Sequence, residues 1–214
     1  MSATNAVSTT PDIHIRKFAN GQKARDAWSK SITANDSMTI QQYNQLCNNS
    51  FKPAALINLD DCARRQTTLK AVPCNKTAWA AKKEFVYIIT RNDVIMKIGG
   101  TRTGMKARWG SYCCGHCVPQ RNKKGGEPFP GKMSVTNAHL YHTIENDLIN
   151  TGATWAFYNW ELPVIILPVN ILGDTVNVIA QTFHAYEAVC INKFKNKTNK
   201  IPLLCNKCDP NDRA

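Results

Sequence analysis

The stretch EFVYIITRNDVIMKIGGTRTGMKARWGSY, running from Glu84 to Tyr112, decides how the chain is read. EFVYII and VIMKIGG are short runs rich in β-branched and aromatic residues, which favour extended backbone. The TRND between them carries turn chemistry, so an antiparallel hairpin is expected. Gly99 and Gly100 end the second strand, and TGMKARWGSY reads as a helix. On that helix Met105 and Trp109 face a core, while Arg108 and Tyr112, also four apart, form the neighbouring stripe. Alternate residues of a strand share a face, so Phe85, Tyr87 and Ile89 point one way, as do Ile95, Lys97 and Gly99 on the partner. A register that puts both sets on one side makes Tyr87 and Lys97 converge, with Arg108 and Tyr112 close behind the glycine turn.

Outward from the hairpin the pattern changes. Residues 13–79 read as short helices joined by turns, including SMTIQQYNQLCNNS, which places Ile40, Tyr43 and Leu46 at helical spacing. FKPAALINLDDCARRQTTLK suggests an extended approach and another short helix. TNAHLYHTIENDLINTG is a helix closed by Gly152, with Leu140, Ile144 and Leu148 as its stripe, and WAFYNWELPVIILPV supplies one or two strands. A last long helix is expected over about Thr175–Asn196, with Ile179, Phe183, Tyr186 and Cys190 as its stripe and Glu187 at the margin. The expected class is therefore α+β: a small mixed or antiparallel sheet flanked by helices. A helical N-terminal lobe is expected over 1–80 and a core over 84–206, with an insertion at about 113–153 and a tail over 207–214.

Composition bounds the chemistry. The chain has 214 residues, 43% of them hydrophobic, and a formal net charge of +12. Each cation set on a phosphate releases a condensed counterion, so a polyanion is the natural partner. Basic residues concentrate at Arg102–Arg108, Arg121–Lys124 and Lys193–Lys200. The longest apolar run, LPVIILPV, is far short of the roughly 20 residues that span a bilayer, and the first residues lack the order of a secretory signal. Nine cysteines in such a chain read as reduced thiols of a cytoplasmic protein.

In order and spacing these segments resemble the GIY-YIG nuclease superfamily, whose two strands carry Gly-Ile-Tyr and Tyr-Ile-Gly about ten residues apart. Here Phe85-Val86-Tyr87 and Lys97-Ile98-Gly99 stand in those places. The family's helix arginine, followed four residues later by His or Tyr, matches Arg108 and Tyr112. Its metal-binding glutamate on a late helix, followed by a Pro-x-x-Asn-like element, matches Glu187 with Pro202 and Asn206. Phe85 and Val86 replace Gly and Ile, and Lys97 replaces the second tyrosine, a form similar to that of some small restriction endonucleases of the superfamily.

The resemblance implies metal-dependent hydrolysis of double-stranded DNA, with 5′-phosphate and 3′-hydroxyl products and Mg²⁺ or Mn²⁺ held by Glu187. It implies Tyr87, Lys97, Arg108, Tyr112 and Glu187 as catalytic, with Gly99 and Asn206 supporting. The residue types suit the reaction. A tyrosine, titrating near ~10, needs a cation to act as a base at neutral pH, and Lys97 could provide it. Arg108 brings a fixed fork of donors to phosphate oxygens. Arg102, Lys106, Arg121, Lys123 and Lys124 are candidate DNA contacts. Cutting both strands of a palindrome with one site per chain calls for a homodimer.

Alternatives stay open. An isolated strand tyrosine is ordinarily a packing aromatic. A phage- or mobile-element-type nuclease of loose specificity would share these motifs. Cys114 with Cys117, and Cys205 with Cys208, have zinc-ribbon spacing, so an inactive, zinc-stabilised nucleic-acid-binding protein is the non-enzymatic rival.

Overall fold

The expected hairpin exists, and a sheet is built around it. The structure, a computed structural model, describes residues 38–60, 68–114 and 135–205. In chain order the helices are α1 (Ile40–Leu46), α2 (Lys76–Ala80), α3 (Met105–Cys113), α4 (Val135–Thr151) and α5 (Phe183–Thr198). The strands are β1 (Lys52–Leu59), β2 (Leu69–Pro73), β3 (Phe85–Arg91), β4 (Val94–Thr101), β5 (Trp155–Glu161), β6 (Ile166–Ile171) and β7 (Asp174–Ile179). Five strands form one antiparallel sheet in the order β2-β1-β5-β3-β4, and β6 and β7 pair separately.

Alternation along β3 divides the molecule into two cores. Phe85, Tyr87 and Ile89 pack with Trp79 of α2, Met105 and Tyr112 of α3, and Leu140 and Ile144 of α4. Val86 and Ile88 pack on the opposite face with Tyr43 of α1 and Phe183, Cys190 and Phe194 of α5. The β3–β4 turn is Asn92-Asp93, both at positive φ (45° and 64°), where Asn and Asp are tolerated and the strands' twist is matched. The Tyr43 hydroxyl donates to the Cys190 carbonyl at 2.7 Å, tying α1 to α5.

Three expectations need correction. The described part of residues 1–80 is not a mostly helical lobe: β1 and β2 are strands, and β1 lies against β5 inside the sheet. The long-range partner, which no local pattern reveals, decides their state. Asp174–Ile179 is a strand of a hairpin, so the last helix begins at Phe183, not near Thr175. A bulge between Ile89 and Thr90 places Ile95 opposite Thr90, whereas Lys97 stays opposite Ile89. The extra residue inverts the alternation, and Ile95 joins the core of Val86 and Ile88 instead of sharing the face of Lys97.

β4 is an edge strand, and residues 201–205 run beside it. The Leu204 amide donates to the Met96 carbonyl at 2.8 Å, and Cys205 Sγ contacts the Ile98 amide and carbonyl. These contacts cover part of an edge that would otherwise present unpaired backbone. Among the described residues no helix is long and apolar enough to cross a membrane.

α4 is locked to the sheet by polar contacts. Arg91 Nε and Nη2 donate to Asp147 at 2.7 and 3.1 Å, and Trp155 Nε1 donates to the same carboxylate at 2.8 Å. Glu145 is buried and accepts a hydrogen bond from the Thr68 hydroxyl. Removing one partner of a buried pair leaves the other charge desolvated. Asp147→Ala is expected to lower stability by about 3 kcal/mol, read from the midpoint of denaturant unfolding.

Candidate functional site

The site lies where β4 carries two glycines. Adjacent residues of a strand face opposite ways, so each glycine opens a different side of the sheet. Tyr87 of β3 is opposite Gly99, and a Cβ there would lie 2.5 Å from Tyr87 Cζ, against the phenol oxygen. A Cβ on Gly100 would lie 2.7 Å from Phe183 Cδ2 and 2.9 Å from Glu187 Oε2 on the other face. The Gly100 amide lies near enough to that carboxylate to lower its pKa. The pair thus lets a phenol from one core and a carboxylate from the other approach across one strand edge.

On the first face, Arg108 and Tyr112 stand one helical turn apart on α3 and turn towards Tyr87 together. Arg108 Nε donates to Tyr87 Oη at 2.9 Å and Nη2 donates to Tyr112 Oη at 3.1 Å. The two hydroxyls bond to each other, and the guanidinium lies 4.4 Å from the Tyr112 ring centroid. Both phenols are fully buried, whereas Arg108 is half-buried and forms the outward part of the cluster. Burial pushes the Tyr112 hydroxyl well above its ordinary pKa and Tyr87 beside it adds to the rise, against the pull of Arg108. Burial alone would lower the Arg108 pKa, but the two phenols outweigh it and the guanidinium is held charged.

On the second face, Glu187 is half-buried. Burial raises its carboxyl above the usual range, partly offset by the charges of Lys97, His184 and Arg108 and by the Gly100 amide. Arg108 and Glu187, from opposite faces, therefore feel one another. Lys97 is buried on the Tyr87 face, and its Nζ donates to the Leu204 carbonyl at 3.2 Å. A desolvated carboxylate oxygen is the hard donor that a small dication accepts, and such an ion would relieve the cost of the buried charge.

The structure brings together Tyr87, Arg108 and Tyr112, and sets Lys97 and Glu187 at the same edge. Gly99 has the role of making room. Arg102 and Lys106 are exposed, and Arg102 Nη1 donates to Gln181 at 3.3 Å. Arg121, Lys123, Lys124 and Asn206 lie outside the described residues, as do Cys117 and Cys208. Cys114 is exposed after α3, while burial pushes the Cys205 thiol up beside Ile98. No group of three or more His, Cys, Asp or Glu that could hold a metal occurs among the described residues. Sequence reading missed His184, stacked 3.9 Å from the Phe183 ring with Nδ1 4.0 Å from Glu187 Oε2. Its signal was the three-residue helical spacing to Glu187. It missed Gly100 as well, whose missing side chain makes room for the carboxylate.

No family model matches the chain, and no curated protein matches it. Two solved structures are similar to it in outline. One is restriction endonuclease HPY188I in complex with product DNA, 17% identical, with 81% of this chain and 88% of that one covered and a TM-score of 0.45. The other is a mutant of bacteriophage T4 EndoII, 17% identical, with 74% of this chain and 96% of that one covered and a TM-score of 0.45.

Two expected outcomes test this geometry. Gly99→Ala should destabilise by about 1–3 kcal/mol, because the new methyl displaces a packed phenol. Gly110→Ala, whose Cβ would meet nothing, should stabilise α3 by about 0.5–1 kcal/mol in the same thermal unfolding experiment. Equal shifts for both would contradict the close approach at Gly99. The raised pKa of Glu187 means that the folded state binds its proton more tightly than the unfolded chain does. Stability is thus lost as pH rises from the unfolded carboxylate value through the raised folded one. In metal-free buffer Glu187→Gln should be more stable than wild type at neutral pH, and the difference should shrink as pH falls through that window.

Proposed function

We propose that this chain is a metal-dependent endonuclease hydrolysing phosphodiester bonds of double-stranded DNA. In the finer reading it is a sequence-specific type II restriction enzyme of GIY-YIG type, leaving 5′-phosphate and 3′-hydroxyl ends and acting as a homodimer. The observation that carries the reading is the Tyr87–Arg108–Tyr112 cluster, brought within electrostatic reach of Glu187 by the Gly99–Gly100 edge. The motifs at Phe85–Gly99 and the charge of +12 agree with it.

In this reading the half-buried Arg108 meets the scissile phosphate with the guanidinium face it turns outward. Its Nε and Nη2 are already committed to the two phenols, so the fork is held rigid before substrate arrives. Tyr87 receives or orients the proton of the attacking water. Arg108 is bonded to its hydroxyl and Lys97 lies on the same face, so positive charge is placed beside the oxygen that meets the water. Tyr112 holds Tyr87 Oη in place through the shared hydrogen bond and stays protonated at the bottom of the cluster. Glu187 would hold one Mg²⁺ or Mn²⁺, which when bound stabilises negative charge on the phosphate and the leaving oxygen.

Digestion of plasmid DNA with Mg²⁺ tests the reading. Wild type should give discrete fragments. Tyr87→Phe and Glu187→Ala should each lose roughly 100-fold or more in rate while retaining DNA binding and the wild-type circular dichroism spectrum. Arg108→Lys should not restore activity, because an ammonium cannot span both hydroxyls and a phosphate. A smear of random lengths would replace the restriction-enzyme reading by a loosely specific nuclease. No cleavage of any DNA with Mg²⁺, Mn²⁺ or Co²⁺ would overturn both.

A further inference from the structure

A cavity of about 320 Å³ opens between the end of α1, β5 and α5, and none of the residues assigned to the nuclease site lines it. Its volume is that of a small-molecule site. Trp160 and Tyr186 meet edge to face in its wall, 5.2 Å between ring centroids, and Val189 extends the apolar surface. Among the described lining residues Lys193 carries the only formal charge. Two thiols, Cys47 and Cys190, stand in the same wall although they are far apart in the sequence.

The backbone around this pair is fixed. The Tyr43 hydroxyl donates to the Cys190 carbonyl at 2.7 Å, and Lys193 Nζ donates to the Leu46 carbonyl at 3.0 Å, so α1 and α5 are pinned on both sides of the thiols. Cys47 caps α1: its amide donates to the Asn44 carbonyl at 3.0 Å. Its carbonyl accepts from the Ser50 hydroxyl at 2.6 Å and the Ser50 amide at 3.1 Å. The chain then turns away through Asn48 and Asn49, both at positive φ.

The two sulfurs are unequal. Each acts on the other's pKa more strongly than any other group does, so they lie close together. Cys190 holds the Cys47 thiol below its ordinary value against the effect of burial, aided by Tyr43 and by the charge of Lys193. Cys190 itself is pushed up, by Cys47 and then by burial, and it is the deeper of the two at 2% exposure against 7%. The thiolate is the nucleophile in exchange with a disulfide, which makes Cys47 the attacking group and Cys190 the resolving one.

We propose that Cys47 and Cys190 form a thiol–disulfide exchange site whose substrate is a small anionic disulfide entering this cavity. The Cys47 thiolate attacks one sulfur of the substrate RSSR, forming Cys47–S–SR and releasing RS⁻. Cys190 then attacks the Cys47 sulfur and expels the second RS⁻. The protons of the two protein thiols end on the two RS⁻ ions. Two thiols are oxidised to one disulfide and RSSR is reduced to two RSH, so no further oxidant enters. The apolar wall holds the body of the substrate and Lys193 meets its charge. The bridge joins the end of α1 to α5 about one helical turn beyond Glu187. Any consequence for cleavage rests on the nuclease reading; the exchange does not.

Treatment of the reduced, metal-free full chain with dithiodipropionate at neutral pH, followed by peptide mass mapping, tests the site. Cys47 should react about tenfold or more faster than the exposed Cys74, and the product should be a Cys47–Cys190 disulfide. Cys190→Ala should stop the reaction at a mixed disulfide on Cys47, and Cys47→Ala should leave Cys190 reduced. Val189→Trp, at an exposed position of the wall, keeps both thiols and narrows the cavity. It should slow Cys47 about tenfold and leave Cys74 unchanged. Cystamine, a dication of similar length, should be the slower reagent at Cys47 relative to Cys74. Equal rates at Cys47 and Cys74 would overturn the proposal, as would a wild-type product with no bridge or a Val189→Trp rate equal to wild type. A relative rate for cystamine as high as that for dithiodipropionate would overturn the anionic substrate. Failure of the plasmid assay alongside the expected products would remove the nuclease reading and leave the exchange site standing.

Discussion

Two side chains are missing at the outer strand of the sheet, and the site depends on their absence. At Gly99 the space belongs to the Tyr87 phenol and at Gly100 to Phe183 and the Glu187 carboxylate. A sheet is ordinarily a wall about 10 Å from the layers packed on it, so groups rising from opposite cores do not meet. Thinning the wall at its edge brings them close without breaking the hairpin. Entropy weighs against glycine within a strand, and here the rest of β4 offsets that cost: Ile95, Met96 and Ile98 are all buried.

Each half of the site is held by a different core. Tyr87 and Tyr112 belong to the core under α2, α3 and α4, while Phe183 beside Glu187 belongs to the core under α1 and α5. The polar groups sit on regular elements whose apolar neighbours are locked, so their geometry does not depend on loops. This is the arrangement under which hydrogen bonds such as those from Arg108 can be preorganised. The cost is visible in Glu187, whose carboxyl is pushed up by burial although Lys97, His184 and Arg108 all act to lower it.

Legibility in the sequence followed the range of the interactions. The hairpin, its Asn-Asp turn and the α3 pair Arg108–Tyr112 depend on neighbours within a few residues, and period and turn chemistry read them correctly. The last helix was misplaced by some eight residues because TVNVI can be written into a helical stripe as easily as into a strand; pairing with Ile166–Ile171 decides it. β1 and β2 were legible only in part, since their strand state rests on β5, about a hundred residues away. The bulge that turns Ile95 over leaves no mark in the alternation. Lys97 kept its face because it lies before the bulge, counted from the glycines. Gly100 escaped notice because its significance is the distance to Glu187, which exists only after α5 is laid under β4, whereas His184, three residues before Glu187 on the same helix, was legible in the spacing and was passed over.

The edge position of β4 reconciles two demands that oppose each other. A central strand would be closed by a neighbour, and no large substrate could approach the Tyr87–Glu187 junction. A bare edge invites pairing with foreign strands. Residues 201–205 answer the second demand where it is harmless to the first: Leu204 takes the Met96 carbonyl, Cys205 takes both backbone groups of Ile98, and the Lys97 ammonium is drawn to the Leu204 carbonyl. The cover stops at the glycines, where Glu187 approaches Gly100 instead. The edge is thus divided between a stretch that is covered and a stretch left open to a carboxylate. The division falls between residues 98 and 100, where the side chains also disappear, so shielding and access are separated along one strand by the spacing of a few residues.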